Sequence, residues 1–204
     1  MPVLLMITCY LIGSIPVAWF MGKILSGQDL RQMGSGNVGV LNTMISVSRW
    51  AGVTVFFAEA AKGAAAVLLS RAVGASEVVT GLAVLATICG TRWSIWLRGA
   101  GGRGNTAAMA ALLLISWQSL LCALAIFFLS RVLTRNSFIA ARITLVLWPI
   151  AFGLITQSWW SVILGGAFSL LFATTHKPDT DDHLLVKDQW GGLRRFAVLP
   201  PRKR

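Results

Sequence analysis

Charged residues are scarce in this chain of 204 residues. They make up 12% of the sequence, whereas a soluble domain carries roughly 25%. Acidic residues are the rarest, since 7 stand against 18 lysines and arginines, which gives a formal net charge of +11. Hydrophobic residues make up 56% of the chain, and its mean hydropathy is +0.73. This composition leaves too little polar surface for a water-soluble fold and indicates an integral membrane protein.

Cysteine and metal-ligand patterns are also lacking. The three cysteines, Cys9, Cys89 and Cys122, lie inside apolar blocks without metal-ligand spacing, so neither a disulfide framework nor a zinc site is predicted. The acidic run at Asp179–Asp182 lacks the spacing and the glycine of a calcium loop. We expect no metal and no cofactor. The basic loops carry no interleaved aromatic residues that could stack on bases, so we also expect no nucleic acid partner.

Apolar blocks recur along the chain at lengths that cross, or nearly cross, a hydrocarbon layer, which takes roughly 20 helical residues. Strand-like alternation is absent, so the pattern predicts an all-α fold. No polar linker divides the blocks, and we predict one domain over residues 1–204. The blocks are Val3–Met21, Trp50–Leu69, Val78–Cys89, Thr106–Ser130, Ile139–Ile155 and Trp159–Thr174.

The number of helices depends on Thr106–Ser130, which could form one long helix or two shorter ones broken near Ser116–Ser119. The positive-inside rule favours two, because seven helices then leave only Arg71 on the side opposite the other basic residues. We therefore predict about seven transmembrane helices, with the N-terminus outside and the C-terminus cytoplasmic. The predicted cytoplasmic segments are loops at about 23–49, 92–105 and 131–138 and a basic tail, 175–204.

A first glycine-rich stretch lies in the loop after the first helix. It contains Gly34, Ser35, Gly36, Asn37, Gly39 and Asn42. Glycine allows positive φ angles and close approach of a ligand to the backbone, and successive N–H groups in such a turn can form an anion-binding concavity. The alternative is a loop that only needs flexibility. The serine and the two asparagines favour a binding site.

A second glycine-rich stretch, Gly101-Gly102-Arg103-Gly104, leads directly into an apolar helix. A helix N-terminus offers free N–H groups and a positive dipole end, which favour phosphate. The guanidinium of Arg103 can bind phosphoryl oxygens in a bidentate manner. The alternative is a basic loop that contacts lipid headgroups.

Ionisable residues at two further places are candidates for the same site. Glu59 and Lys62 lie inside an apolar block at i, i+3 spacing, which puts them on one helix face. Such groups at membrane depth are costly and are usually paired or functional, and an internal ion pair and direct catalysis both remain open. His176 follows the last apolar block and can transfer a proton near neutral pH, although a lone histidine at a helix end is more often a cap or a headgroup contact.

These motifs resemble those of the bacterial membrane glycerol-3-phosphate acyltransferases that use acyl-phosphate as donor, the PlsY type. The resemblance runs nearly end to end and agrees with the family's seven helices and outside N-terminus. Beyond the first glycine-rich stretch, it rests on Gly13–Pro16, Gly27–Arg31, Ala61-Lys62-Gly63, Gly101–Gly104 and His176-Lys177.

The resemblance implies an enzyme of phospholipid synthesis in the inner (plasma) membrane. It would transfer a fatty acyl group from acyl-phosphate to the 1-hydroxyl of glycerol 3-phosphate, which yields lysophosphatidic acid and phosphate without an acyl-enzyme. Ser35 would hydrogen-bond a substrate, Arg103 would hold phosphate, and His176 would orient or deprotonate the attacking hydroxyl. The remaining implied substrate-binding residues are Gly34, Gly36, Asn37, Gly39, Asn42, Arg49, Lys62, Gly101, Gly102, Gly104 and Asp179.

Several positions depart from the family pattern. Leu41 and Ile45 replace a threonine and an arginine, Thr91 replaces a histidine, and Asp179 replaces an asparagine; Arg103 stands for the usual lysine. Arg49 is expected one helical turn after Ile45, as a shifted substitute for the missing arginine. These departures keep open a non-catalytic alternative, a lipid-binding or assembly subunit with a membrane protein partner. A small transporter for a phosphorylated solute is a weaker alternative.

Overall fold

The computed structural model describes residues 1–175, and this part of the chain is helical without a β-strand. Two short 3-10 turns lie at Leu30–Gln32 and Ile95–Leu97. The α-helices within residues 1–175 are α1 Pro2–Ser14, α2 Val17–Ser26, α3 Val40–Ser46, α4 Arg49–Ala72, α5 Glu77–Arg92, α6 Asn105–Ile115, α7 Trp117–Thr134, α8 Ser137–Thr156 and α9 Trp159–Thr175.

Five helical segments in the described part of the chain are long and apolar enough to cross a membrane. They are α1 with α2, α4, α5 with the following 3-10 turn, α7 and α8, whereas α6 and α9 are apolar but shorter. Many of their large apolar side chains are exposed, as expected for helices that face lipid. The prediction of an all-α, multi-pass membrane protein is confirmed, while the count of seven passes stays a prediction.

The first apolar block, predicted as one segment over Val3–Met21, consists of two helices. The chain becomes extended at Ile15, where φ is −60° and ψ is 113°, and α2 begins after Pro16. Proline lacks the N–H that would continue the helical hydrogen bonds, and it disfavours the helical conformation of the residue before it. The break leaves backbone carbonyls at the end of α1 that need other partners.

The region Thr106–Ser130 breaks at Ser116, inside the segment predicted for the break. Ser116 is extended, with φ −156° and ψ 93°, and it ends α6 and caps α7. Its Oγ accepts a hydrogen bond from the backbone N–H of Ser119 at 3.3 Å. The serine satisfies one free N–H at the start of α7, which explains why the second helix begins there.

The predicted loop at 23–49 contains its own helix, α3, which packs on α4. A Cβ on Gly52 of α4 would overlap the side chain of Met44 in α3. Ser48 lies between the two helices and caps α4, because its Oγ accepts from Ala51 N–H at 3.1 Å. Ile45 and Arg49 therefore belong to different helices. The expectation that one helical turn separates them is wrong, since the chain changes direction at the cap.

Glycines allow two pairs of helices to pack closely, backbone against backbone. Gly13 of α1 packs on α5, where a Cβ would overlap the carbonyl oxygen of Thr87. Gly63 of α4 packs on α6 in the same way, against the carbonyl of Ala107. Close approach through small residues is a common mode of helix association in membranes. Helices α7, α8 and α9 pack in chain order beside this group.

Candidate active site

The first glycine loop is organised around the side-chain amide of Asn42, which is completely buried. Its Nδ2 donates to the carbonyls of Asn37 at 2.8 Å and Met33 at 3.0 Å, and its Oδ1 accepts from Ser35 N–H at 3.2 Å. Ser46 Oγ also donates to Oδ1, at 3.0 Å. Through these hydrogen bonds, Asn42 holds the backbone of the loop in its conformation.

Two glycines of this loop adopt conformations that other residues rarely take. Gly34 and Gly36 have φ angles of 54° and 73°. A Cβ on Gly34 would also overlap Asn42 Oδ1. The half-buried Ser35 and Asn37 lie beside these turns, and Ser35 Oγ accepts from Asn37 N–H at 3.3 Å. The loop thus places a hydroxyl and an amide side chain beside two turns, while the N–H groups of Ser35, Gly36, Asn37 and Gly39 donate to acceptors in and around the loop.

An ion pair stands just before this loop. Asp29 accepts from the backbone N–H of Arg31 at 3.0 Å, and the two side chains pair at 2.6 Å. The Arg31 guanidinium holds the pKa of the Asp29 carboxyl far below its usual range. The pair is therefore charged at neutral pH, and it caps the 3-10 turn that leads into the loop.

The second glycine loop turns sharply against the end of α5. Gly102 N–H donates to the carbonyl of Thr91 at 2.9 Å, and a Cβ on Gly101 would overlap that carbonyl. Gly104 has a φ of 78° and precedes the first residue of α6. The free N–H groups at the start of α6 therefore follow Arg103 directly, as the sequence predicts.

The structure brings the two glycine loops together. A Cβ on Gly102 would overlap the carbonyl oxygen of Val38, so only glycine permits this contact. A small cavity of about 10 Å³ lies below the contact and is lined by Val38, Gly101, Gly102, Glu59 and Lys62, among others. Sequence positions more than sixty residues apart thus form one site above a buried ion pair.

Lys62 directs its ammonium group into the protein. It pairs with Glu59 at 2.6 Å and donates to the carbonyls of Ile15 at 2.5 Å and Gly13 at 3.3 Å. An ammonium has three donors, and these contacts provide three acceptors. Lys62 and Glu59 are both 6% exposed. Of the two options left open by the sequence, the contacts match the internal ion pair, which here also caps the end of α1.

Two further side chains bind the same end of α1. Thr91 Oγ1 donates to the carbonyls of Gly13 at 3.3 Å and Thr87 at 3.1 Å. Ser94 Oγ donates to the carbonyl of Ser14 at 2.5 Å. The α1–α2 junction is thereby tied to α4 and to the end of α5, on which the second loop rests. Thr91, one of the departures from the family pattern, has this structural contact.

Positive charge is concentrated at the second loop. Arg103 lies on this loop, and Arg92 is half-buried and close enough for the two positive charges to repel each other. From the sequence, Arg92 is only one of the basic loop residues that indicate orientation. Its position as the last residue of α5, directly before a basic glycine loop, is the signal that could have identified it.

A large, mostly apolar cavity of about 730 Å³ opens beside the second loop. It lies among α4 to α9, and Arg103 and Asn105 line one end. Aromatic side chains such as Phe127, Trp148 and Phe168 line its interior. Pockets of this size bind small molecules of considerable apolar surface. The arrangement joins a basic end to a mostly apolar chamber.

The remaining predicted site residues lie at the start of α4 or outside the described residues, and two positions that depart from the family pattern lie on α3. Arg49 begins α4 directly after the Ser48 cap and is half-buried. Leu41 and Ile45 of α3 lie with Met44 in a small apolar cluster. His176 and Asp179 lie outside the described residues.

A family model described as glycerol-3-phosphate acyltransferase matches residues 3–184. The chain belongs to this family. The structure of PlsY (YgiH), an integral membrane glycerol 3-phosphate acyltransferase, in its glycerol 3-phosphate form has a TM-score of 0.73 to this chain. The two are 24% identical, and the match covers 91% of this chain and 92% of that one, which supports the fold.

Two relatives show the extent of the similarity. Glycerol-3-phosphate acyltransferase 2 of Moorella thermoacetica is 41% identical over 144 residues, which are 69% of this chain and 74% of the relative. A glycerol-3-phosphate acyltransferase of Desulforudis audaxviator is 32% identical over 188 residues, 91% of this chain and 93% of the relative. The predicted family is confirmed, and similarity of this extent does not favour the non-catalytic alternative.

Proposed function

We propose that this protein transfers a fatty acyl group from acyl-phosphate to the 1-hydroxyl of glycerol 3-phosphate. One observation carries the proposal: the two glycine loops meet at Gly102, and the next residue, Arg103, lines one end of an apolar cavity of about 730 Å³. The donor needs such a combination, because its phosphate is charged and its chain is apolar. Family membership supports the acceptor and the place of the reaction in phospholipid synthesis.

The reaction joins the hydroxyl oxygen of glycerol 3-phosphate to the acyl carbon. The bond between that carbon and the phosphate oxygen breaks, and phosphate leaves with the electron pair. Arg103, the Ser35 hydroxyl and the free N–H groups at the start of α6 would bind phosphate and stabilise the developing negative charge. His176 would accept the hydroxyl proton. Two substrates held side by side would react as a positioned pair rather than by random encounter.

Asn42, Lys62 and the loop glycines would serve the reaction by shaping these loops. The hydrogen bonds of Asn42 and Lys62 within the protein support this division of roles. The glycines permit the turns and the contact at Val38.

We further propose seven membrane passes, in which α1 and α2 form one broken pass and α6 forms a short one. The N-terminus lies outside and the glycine loops face the cytoplasm. The short α6 is compatible with this topology because the loop before it already lies deep in the membrane, so α6 has less thickness left to cross. This loop lies at the level of Glu59 and Lys62, about 15 Å or more along α4 from Arg49. Glycerol 3-phosphate would reach the glycine loops from the cytoplasm, and the donor would reach them from the plasma (inner) membrane.

The test uses the full chain in lipid nanodiscs with acyl-phosphate and labelled glycerol 3-phosphate. We expect labelled lysophosphatidic acid from the unaltered protein and none above background from Gly102→Val, in which the side chain would clash with Val38. Complementation of a strain that lacks its own acyltransferase gives an independent readout. Transfer from acyl thioesters but not from acyl-phosphate would refute the proposed donor. No transfer and no complementation would refute the proposed activity.

A further inference from the structure

The large cavity has charged residues at both ends and a mostly apolar interior. Arg103 lines the end at the glycine loops, and Arg71 and Glu77 line the opposite end, where α4 is joined to α5. The first end belongs to the proposed phosphate site. The second has no part in that site, and its arginine requires a separate explanation.

The depth of the cavity can be read from α4 and α6, which run side by side in the same direction. Gly63 contacts Ala107, and further along both helices Arg71 contacts Leu114. From Asn105 to Leu114 the helix rises about 14 Å, at 1.5 Å per residue. One leaflet is half of a hydrocarbon core about 30 Å thick. Between Arg103 and Arg71 the cavity is therefore about as deep as the space that one membrane acyl chain fills, whereas its lining on α8 extends farther, from Ser137 to Thr156.

Arg71 reaches the far end of α6 from an exposed position. Its Nη2 donates to the carbonyl oxygen of Leu114 at 2.5 Å. This carbonyl is one of the last four of α6, which have no partner within the helix, and a positive charge at a helix C-terminus is stabilising. A hydrocarbon chain that extends beyond this depth would have to displace the guanidinium from its carbonyl.

We propose that Arg71 is a specificity-determining residue that sets the greatest length of acyl chain the protein transfers. The inference rests on the proposed function, because it assigns the cavity to the acyl chain of the donor. Arg71 touches neither the phosphate nor the reacting carbon. It forms the floor of the cavity and excludes chains that are too long.

The physical basis predicts the shape of the chain-length profile. The surrounding lipid tails are as apolar as the cavity wall, so an added methylene gains little free energy when it moves from the bilayer into the cavity. Transfer should therefore change little with length up to a limit. Beyond the limit, each donor must break a charge-assisted hydrogen bond, and kcat/KM should fall by about tenfold or more.

Three variants separate the possible causes. In Arg71→Ala the floor is removed, and the limit should move to longer chains. In Arg71→Gln the side chain loses its charge but can still donate to Leu114, so the limit should stay near that of the unaltered protein. In Ala111→Leu a larger side chain extends into the cavity about 9 Å beyond Asn105, and the limit should move to shorter chains.

The experiment offers each protein, in nanodiscs, a mixture of saturated acyl-phosphates that increase in length two carbons at a time. The products are quantified by mass spectrometry. Ratios between products do not depend on the amount of folded protein, so an unstable variant remains informative. Opposite shifts for Arg71→Ala and Ala111→Leu support the proposal. Unchanged product ratios in both variants, with an active unaltered protein, would overturn it. If the unaltered protein transfers no chain of any length, the proposed function fails and this inference fails with it.

Discussion

Single side chains in the first loop act through hydrogen bonds to the backbone, and Asn42 is the clearest case. Replacement by leucine keeps the size but leaves the carbonyls of Met33 and Asn37 without this donor. We expect Asn42→Leu to lower the free energy of unfolding by about 2–4 kcal/mol and to abolish most activity, because buried polar groups lose their partners. The thermal midpoint and kcat/KM measure the two effects.

Ser46→Ala is the matched control for Asn42→Leu, since it removes only one donor to Asn42 Oδ1. It should cost about 1 kcal/mol. A normal thermal midpoint with a raised KM in Asn42→Leu would contradict the structural role and would instead favour contact with substrate.

Arg103 and Arg92 supply positive charge at the second glycine loop. Arg103→Gln should lower kcat/KM by about a hundredfold to a thousandfold, because it removes a cation from the developing negative charge. Arg103→Lys should retain more activity, since the charge remains although the bidentate geometry is lost. Arg92→Gln should mainly raise the KM for the phosphorylated substrates. Steady-state kinetics in nanodiscs would check all three.

Arg98→Gln is the matched control for these arginine variants, because Arg98 is exposed and arginine and glutamine, both unbranched at Cβ, meet a similar cost at its φ of 55°. It should leave kcat/KM close to that of the unaltered protein. Equal losses in Arg98→Gln and Arg103→Gln would argue for a general effect of loop charge on membrane binding.

The sequence shows which polar residues could belong to the site, but it does not show their hydrogen-bond partners. Asn42 and Lys62 are polar residues within three positions of a glycine, and this pattern equally fits a substrate ligand and a structural hydrogen bond. The distinction depends on Met33, Ile15 and other carbonyls that the fold brings within reach. Arg92 was missed for the same reason, since its nearness to Arg103 depends on how the loop turns back on α5.

Helix junctions are the elements on which the site depends, and Lys62 is central to one of them. Lys62→Met would leave Glu59 buried without its cation and would leave two carbonyls of the α1–α2 junction without this donor. We expect a loss of about 3–5 kcal/mol in the free energy of unfolding. Activity should fall as well, because the glycine loops rest on this junction.

The double variant Glu59→Leu with Lys62→Met tests the cause of that loss. Removal of both charges should recover part of the thermal midpoint, because a buried charge is no longer left alone. A double variant no more stable than Lys62→Met would assign the loss to the carbonyls of Gly13 and Ile15 instead. Ser70→Ala, which removes only a bond within α4 to Ala66, is the control for a polar loss on the same helix.

The hydrophobic blocks predict most of the helices. The helix bounds that they miss are set by a proline, a short helix and a capping serine. Pro16 marks the division of the first block, yet the surrounding residues are apolar enough to mask it. The seven-residue helix α3 is too short for a periodic signal, and packing against Gly52 stabilises it. Ser48 is a recognisable cap before α4, and it would have shown that Ile45 and Arg49 lie on different helices.

Orientation is a property of the whole molecule and follows from the distribution of charge. With the proposed seven passes, the basic residues between the helices would share one side, apart from Arg71, and the positive-inside rule would place that side in the cytoplasm. The link between α4 and α5 should therefore lie outside and the first glycine loop inside. Single cysteines at Val73 and Gln32, both exposed, report these positions when Cys9, Cys89 and Cys122 are replaced by alanine.

Labelling with a membrane-impermeant maleimide distinguishes the two orientations. We expect Val73→Cys to react in spheroplasts and Gln32→Cys to react only after permeabilisation. Complementation by the protein without its three native cysteines would show that the alanine replacements preserve the native topology. The reverse pattern would place the glycine loops outside, where the site would have no access to cytoplasmic glycerol 3-phosphate. Reaction of both positions in sealed spheroplasts would mean an even number of passes between residues 32 and 73, which conflicts with α4 as a single membrane-spanning helix.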